Sequence, residues 1–181
     1  MVGIVQFEGT GDPMQKEPRR NALVTVCDGY VEVETALQSL QAQGFGLTNV
    51  SVVGRDLSSD REVVGIYQVG GACKYRGSLG AFWEGLWESL ENCGVFWTPG
   101  SGWILIAGPF TKIFVASQNS SVFSGLTAIG SALYSLGIPL GEVLEYEAGL
   151  RGTQLLLIVH GAPTMVETAR ELLKPKFKQS V

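Results

Sequence analysis

Hydrophobic and polar residues follow two periods along the chain, and these predict short strands beside amphipathic helices. The apolar runs at 23–27 and 155–160 have the length of buried strands. An apolar stripe at helical spacing follows the first run and comprises Val33, Ala36, Leu37 and Leu40. A second stripe follows the other run and comprises Val166, Ala169 and Leu173. A strand followed by a helix is therefore predicted at both ends of the chain.

These two strand and helix units form a weak internal repeat. Residues 23–27 align with residues 156–160 at an offset of 133. The apolar runs at 50–54 and 63–67 predict two further strands. Duplicated units of this kind are typical of a ferredoxin-like sandwich. We therefore predict an α+β fold, with a ferredoxin-like antiparallel sheet, helices on one of its faces and an apolar helical insertion.

The insertion, residues 77–139, differs from the rest of the chain in composition. It contains all four tryptophans and ten of the 24 glycines, but only four charged residues. We predict a first helix at 78–93, with Glu84, Glu88 and Glu91 on a face toward water. A second apolar segment, 104–116, is predicted to be bent or split because Gly108 and Pro109 interrupt it.

A third helix is predicted at 117–136, where apolar residues repeat at heptad spacing. A row of small residues at every fourth position lies beside that seam and allows another backbone to approach closely. Tryptophans and small residues at close spacing are typical of an interface between identical subunits. The predicted oligomer interface comprises Trp83, Trp87, Trp97, Trp103, Ser120, Ser124, Ala128 and Ala132.

Five segments follow from these patterns. We predict a mobile N-terminal arm at 1–20 and the first half of an α+β domain at 21–76. The helical insertion at 77–139 separates it from the second half at 140–174, and a tail follows at 175–181.

Charge and cysteine content indicate which partners and which cellular compartment to expect. The chain carries 13 basic and 17 acidic residues, a net charge of −4, without a basic cluster, so we expect no nucleic-acid partner. Three widely spaced cysteines suit reduced thiols in a cytoplasm better than disulfides. The first 20 residues lack the pattern of a signal peptide. We expect a cytoplasmic protein, and attachment at the membrane periphery is the alternative.

No motif for catalysis or cofactor binding is present in the sequence. There is no dinucleotide loop, phosphate loop or serine-nucleophile motif, so we expect neither enzymatic activity nor a cofactor. The carboxylates of Glu142, Glu145 and Glu147 are interpreted as a solvated helix face. Cys27 and His160 end the repeated strands, and could share a metal ion if those ends are adjacent. The favoured interpretation is that Cys27 fills the core, that His160 is a polar strand end, and that no metal is bound.

An ordered set of short strings across residues 22–174 resembles the bacterial YflT-like general stress protein family. The strings are SVVG at 51–54, GSLGAFWEGLW at 77–87, FWTPG at 96–100, AGP at 107–109, SLGIP at 135–139, YE at 146–147 and LLIVHG at 156–161. The resemblance implies a stress-associated bacterial protein of unassigned biochemical activity, and it brings no catalytic residues. Members are often described as membrane proteins because of the central tract.

Three functions are compatible with the sequence. The favoured hypothesis is a non-enzymatic, stress-associated protein that assembles with itself through the insertion. The alternative places the helices of 77–139 in or on a bilayer, with lipid as partner, although carboxylates such as Glu88 and Glu91 would cost roughly 2.5–3.5 kcal/mol each near a bilayer centre. The third hypothesis is a binding module for a small apolar ligand.

Overall fold

The computed structural model describes residues 21–55, 67–69, 72–74, 80–99, 101–118 and 125–174. Within these ranges the chain forms seven strands, six α-helices and one short 3-10 turn. In chain order they are β1 (Ala22–Cys27), α1 (Tyr30–Ala42), the 3-10 turn (Leu47–Asn49), β2 (Val50–Arg55), β3 (Tyr67–Val69), β4 (Ala72–Lys74), α2 (Gly80–Leu90), β5 (Cys93–Thr98), β6 (Gly102–Ala107), α3 (Phe110–Gln118), α4 (Ala128–Ser135), α5 (Leu140–Arg151), β7 (Leu155–His160) and α6 (Pro163–Leu173). The predicted arm at 1–20 and tail at 175–181 lie outside the described residues.

Five strands form one open sheet in the order β1-β7-β2-β6-β5, and every neighbouring pair is antiparallel. The α+β class with an antiparallel sheet is therefore confirmed. β7 lies between β1 and β2, β6 lies between β2 and β5, and β2 lies between β6 and β7, so three connections each skip over one strand. This mixed order does not confirm the ferredoxin-like topology. β3 and β4 pair separately as a two-stranded hairpin.

Helices cover both faces of the sheet, so the prediction of helices on one face is wrong. Buried residues of α1, α2 and α6 form one apolar cluster with strand residues such as Leu23 and Leu157. Buried residues of α3, α4 and α5 form a second cluster with Val24 and Ile158. Adjacent strand residues point to opposite faces, and both faces are buried, which explains why β1 and β7 are continuous apolar runs.

The segment 77–139 is not entirely helical. β5 and β6 form a hairpin that joins the main sheet, where β6 pairs with β2. The segment 104–116 is therefore split at Gly108 and Pro109, as predicted, but its first part is strand and only its second part is helix. Periodicity alone cannot distinguish a short buried strand from a buried helix, which accounts for the error.

The single helix predicted at 117–136 is also wrong. α3 ends at Gln118, and α4 begins only at Ala128, after a cap by Thr127 whose hydroxyl accepts a hydrogen bond from the Gly130 amide at 3.3 Å. Gly125, just before this cap, has a φ of +124°, which is incompatible with a continuous helix. Residues 119–124 lie outside the described part of the chain.

Candidate functional site

Among the described residues, the most exposed large aromatic side chains lie beside the turn of the β5–β6 hairpin. Trp97 and Trp103 are directly opposite each other in the antiparallel ladder. Their side chains are 60% and 49% exposed, respectively. Cross-strand aromatic pairs stabilise a hairpin, but two half-exposed tryptophans leave a large apolar area in water. We call these two residues the tryptophan pair.

The tryptophan pair adjoins the edge of the sheet. β5 pairs with β6 on one side, and no strand among the described residues pairs with its other side. Its residues Cys93–Phe96 are half-buried, whereas the opposite edge strand, β1, is almost fully buried. Edge strands are often protected from pairing by charged residues or proline. β5 contains neither.

Trp83 and Trp87, which were predicted to share an interface with that pair, lie instead in the core of the protein. They are 2% and 8% exposed. Trp83 packs over Gly54 in β2, where an added Cβ would lie 2.8 Å from the indole Cζ2 atom. The absence of a side chain at Gly54 therefore makes room for the indole. Neither tryptophan needs a second subunit to bury it.

The small-residue row is dispersed in the same way. Ala132 is fully buried where α4 packs against the rest of the second apolar cluster. Ala128 is half-buried at the start of the same helix. Ser120 and Ser124 lie outside the described residues. Of the eight predicted interface residues, the structure brings Trp97 and Trp103 together on the surface.

Cys27 and His160 are far apart, so the alternative of a shared metal ion is wrong. β1 and β7 are antiparallel, with Cys27 opposite Leu155 and His160 opposite Ala22. The C-terminal ends of the two strands therefore lie at opposite ends of the sheet, five residues or about 17 Å apart. No group of three or more histidine, cysteine or acidic residues in the described ranges could hold a metal ion.

The environment of Cys27 makes its thiol unreactive. Burial raises the pKa of the Cys27 thiol to about 12, and the negative charges of Glu32 and Asp28 add to this increase. Glu32 accepts a hydrogen bond from the Asp28 amide at 2.8 Å, and the Gln154 side chain donates to Asp28 at 2.7 Å. The thiol therefore stays protonated near neutral pH and is neither a nucleophile nor a ligand.

His160 is partly buried at the other end of the sheet. Burial lowers the pKa of His160 below its usual value of 6.5. Its Nδ1 atom has no hydrogen-bond partner among the described residues. The imidazole is thus held neutral near pH 7.

Glu147 is buried, so its assignment to a solvated helix face is wrong. Its side chain is 3% exposed. Oε1 accepts hydrogen bonds from the Thr127 amide at 3.1 Å and the Thr127 hydroxyl at 2.5 Å, while Arg151 lies 3.7 Å from Oε2. Glu147 therefore connects α5 to the N-terminal end of α4, where a negative charge is favourable. These contacts give Glu147 a structural role.

A cavity that the sequence analysis missed lies between the C-terminal ends of α1 and α2. Its volume is about 410 Å³. Four side chains with oxygen atoms line it, and these belong to Gln41, Thr48, Ser89 and Glu91. Its apolar lining comprises Phe45, Leu47 and Leu90. The nearest signal in the sequence is Gly44 at the end of the first helix.

The described helices are short. None of them has the length and the apolar character that crossing a bilayer requires.

Comparisons of the chain with models of protein families, with curated proteins and with solved structures find no match. The resemblance to the YflT-like family therefore stays a prediction.

Proposed function

We propose that this protein is a non-enzymatic subunit that assembles with a second copy of itself through strand β5 and the tryptophan pair. The observation that carries the proposal is the exposure of Trp97 and Trp103 beside a sheet edge that lacks charge. Exposed apolar area of this kind is typical of an interaction surface. The edge offers main-chain hydrogen bonds to a further strand.

A second copy of β5 is the partner that fits this edge best. An interface with two-fold symmetry brings the same surface of both copies together, so charges of one sign on that surface would repel one another. β5 carries no charge and avoids this cost. Two β5 strands related by a two-fold axis are antiparallel, and their pairing would extend the sheet from five to ten strands.

The side chains also restrict the register of that pairing. Directly opposed residues must point to the same face of the sheet. A two-fold axis through Val95 satisfies this condition. It places Trp97 opposite the second copy's Cys93 and Phe96 opposite the second copy's Gly94, so each large side chain meets a smaller one.

The wider setting is part of the same proposal. The resemblance to the YflT-like family supports a bacterial, stress-associated role, and the odd number of cysteines supports the cytoplasm. The connections from β1 to β2 and from β6 to β7, each of which skips one strand, support a relationship to the ferredoxin-like fold.

Assembly is tested by the molar mass of the wild-type protein and the Trp97→Glu variant in sedimentation equilibrium. We expect a wild-type dimer and a Trp97→Glu monomer, because the substitution places a carboxylate in the interface of each copy.

The matched control is Leu144→Glu, since Leu144 is 50% exposed on α5 and lies away from β5. This variant should remain dimeric. A monomeric wild-type protein, or equal dissociation of both variants, would contradict the proposal.

The tryptophan pair also favours one alternative, which is attachment to a membrane surface. Tryptophan is enriched where proteins meet the headgroup region of a bilayer. In that case the protein would float with zwitterionic vesicles, and the Trp97→Ala variant would lose this binding. Self-assembly predicts no flotation.

A further inference from the structure

We propose that the cavity between α1 and α2 binds a small aliphatic ammonium ion. This proposal goes beyond self-assembly and does not depend on it. The cavity is lined by residues from the end of α1 through the 3-10 turn, by residues of α2 and by the residue after α2, whereas the proposed interface is β5.

The electrostatics of the cavity favour a cation. Both helices direct their C-terminal ends toward the cavity. The C-terminal end of a helix carries a partial negative charge of roughly half an elementary charge. Neither helix has a basic residue in its last turn to neutralise that charge. Glu91 is the one ionisable residue in the lining, and it adds a full negative charge.

Glu91 stands on a defined turn rather than on a loose end. Glu91 and Asn92 both have a positive φ, of 53° and 51°, which is uncommon for residues other than glycine. Their carbonyl oxygens accept hydrogen bonds from the Gly108 amide at 3.1 and 2.7 Å. Gly108 itself has a φ of +101° and lies against β2, where a Cβ would come within 2.8 Å of the Ser51 Cα atom. Packing of the sheet thus fixes the backbone that carries the carboxylate.

The remaining lining identifies the class of cation. Phe45, Leu47 and Leu90 provide an apolar wall for a short methylene chain. The ring of Phe45 can also attract an ammonium group through its face. The oxygen atoms of Gln41 and Thr48 can accept further N–H hydrogen bonds. A volume of about 410 Å³ is ample for an alkylammonium ion of a few carbons.

The test is isothermal titration calorimetry of the full-length protein with 1,4-diaminobutane at low ionic strength. We expect saturable binding to the wild-type protein. The affinity of Glu91→Gln should be about fivefold weaker, because the carboxylate is lost while the shape is kept. Binding to the wild-type protein should also weaken as salt is added.

Two controls separate this site from general attraction to an acidic protein. Glu88→Gln removes an exposed carboxylate from α2 that does not line the cavity, and the affinity of this variant should match the wild type. The neutral probe 1,4-butanediol should not bind. The proposal is overturned if 1,4-diaminobutane does not saturate the wild-type protein, if Glu88→Gln weakens binding as much as Glu91→Gln, or if the diol binds equally well.

Discussion

At the scale of single residues, the surroundings of a side chain decide its role more than its type does. Trp83 and Trp97 belong to the same aromatic tract, yet Trp83 is 2% exposed and Trp97 is 60% exposed. The difference arises because Trp83 packs over Gly54, a residue far away in sequence. Composition could locate the tryptophans but could not assign them to core or surface, since burial depends on such distant partners.

His160 provides a prediction for the pH dependence of stability. Its pKa is lower in the folded protein than in the unfolded chain, so between these two values the unfolded state binds more protons. The free energy of unfolding should therefore fall as the pH is lowered through about 6.5. Urea unfolding at pH 7.5 and pH 5.5 should show a larger loss in the wild type than in His160→Gln.

The chain has one histidine, so its imidazole NMR signals can be assigned without ambiguity. They should titrate below the usual pKa in the folded state. A normal imidazole pKa, or an equal loss of stability in both proteins, would show that burial of His160 does not affect the titration.

At the scale of elements, helical periodicity predicted α1 and α6 well, because each buries one stripe against the sheet. It failed for β6, which is buried on both faces and lacks the alternation of a half-buried strand. It also failed at 117–136, where the heptad spacing gave no warning that Thr127 starts a new helix. The contact between Glu147 and that helix end was missed because the start of α4 after Thr127 was not predicted.

The junction of α4 and α5 gives a second prediction. Replacing glycine by alanine inside a helix usually stabilises it by about 0.5–1 kcal/mol. At Gly130 we expect the opposite, a loss of about 1–3 kcal/mol, because the new Cβ would lie 2.9 Å from the Glu147 Cδ atom and displace its carboxylate from Thr127. Thermal and urea unfolding measure the change.

Gly85→Ala in α2 is the matched control. A Cβ at Gly85 meets nothing within 4 Å, so this variant should be as stable as the wild type or more stable. If Gly130→Ala were also stabilising, the Glu147 contact would not restrict α4.

At the scale of the whole molecule, the proposed pairing of two β5 strands predicts a specific cross-link. A two-fold axis through Val95 places the two Val95 side chains opposite each other, with Cβ atoms about 4.5–5.5 Å apart. This is close to the spacing of a disulfide. In a background with Cys73→Ser and Cys93→Ser, oxidised Val95→Cys should run as a covalent dimer on a non-reducing gel.

Val31→Cys, at a residue that is 58% exposed on α1, should stay uncross-linked under the same conditions. If the wild-type protein is dimeric but the Val95→Cys variant fails to cross-link, the protein assembles with itself through a surface other than the β5 edge.

The position of β7 in the sheet has a consequence for synthesis of the protein. β7 lies between β1 and β2, although it follows them by about a hundred residues in the chain. A nascent chain that has not yet released β7 from the ribosome leaves β1 without its hydrogen-bonding neighbour in the sheet. Pairings over such sequence distances are slow to form. The main sheet should therefore be completed only after β7 has been translated. Until then its apolar strands should depend on chaperones to prevent aggregation.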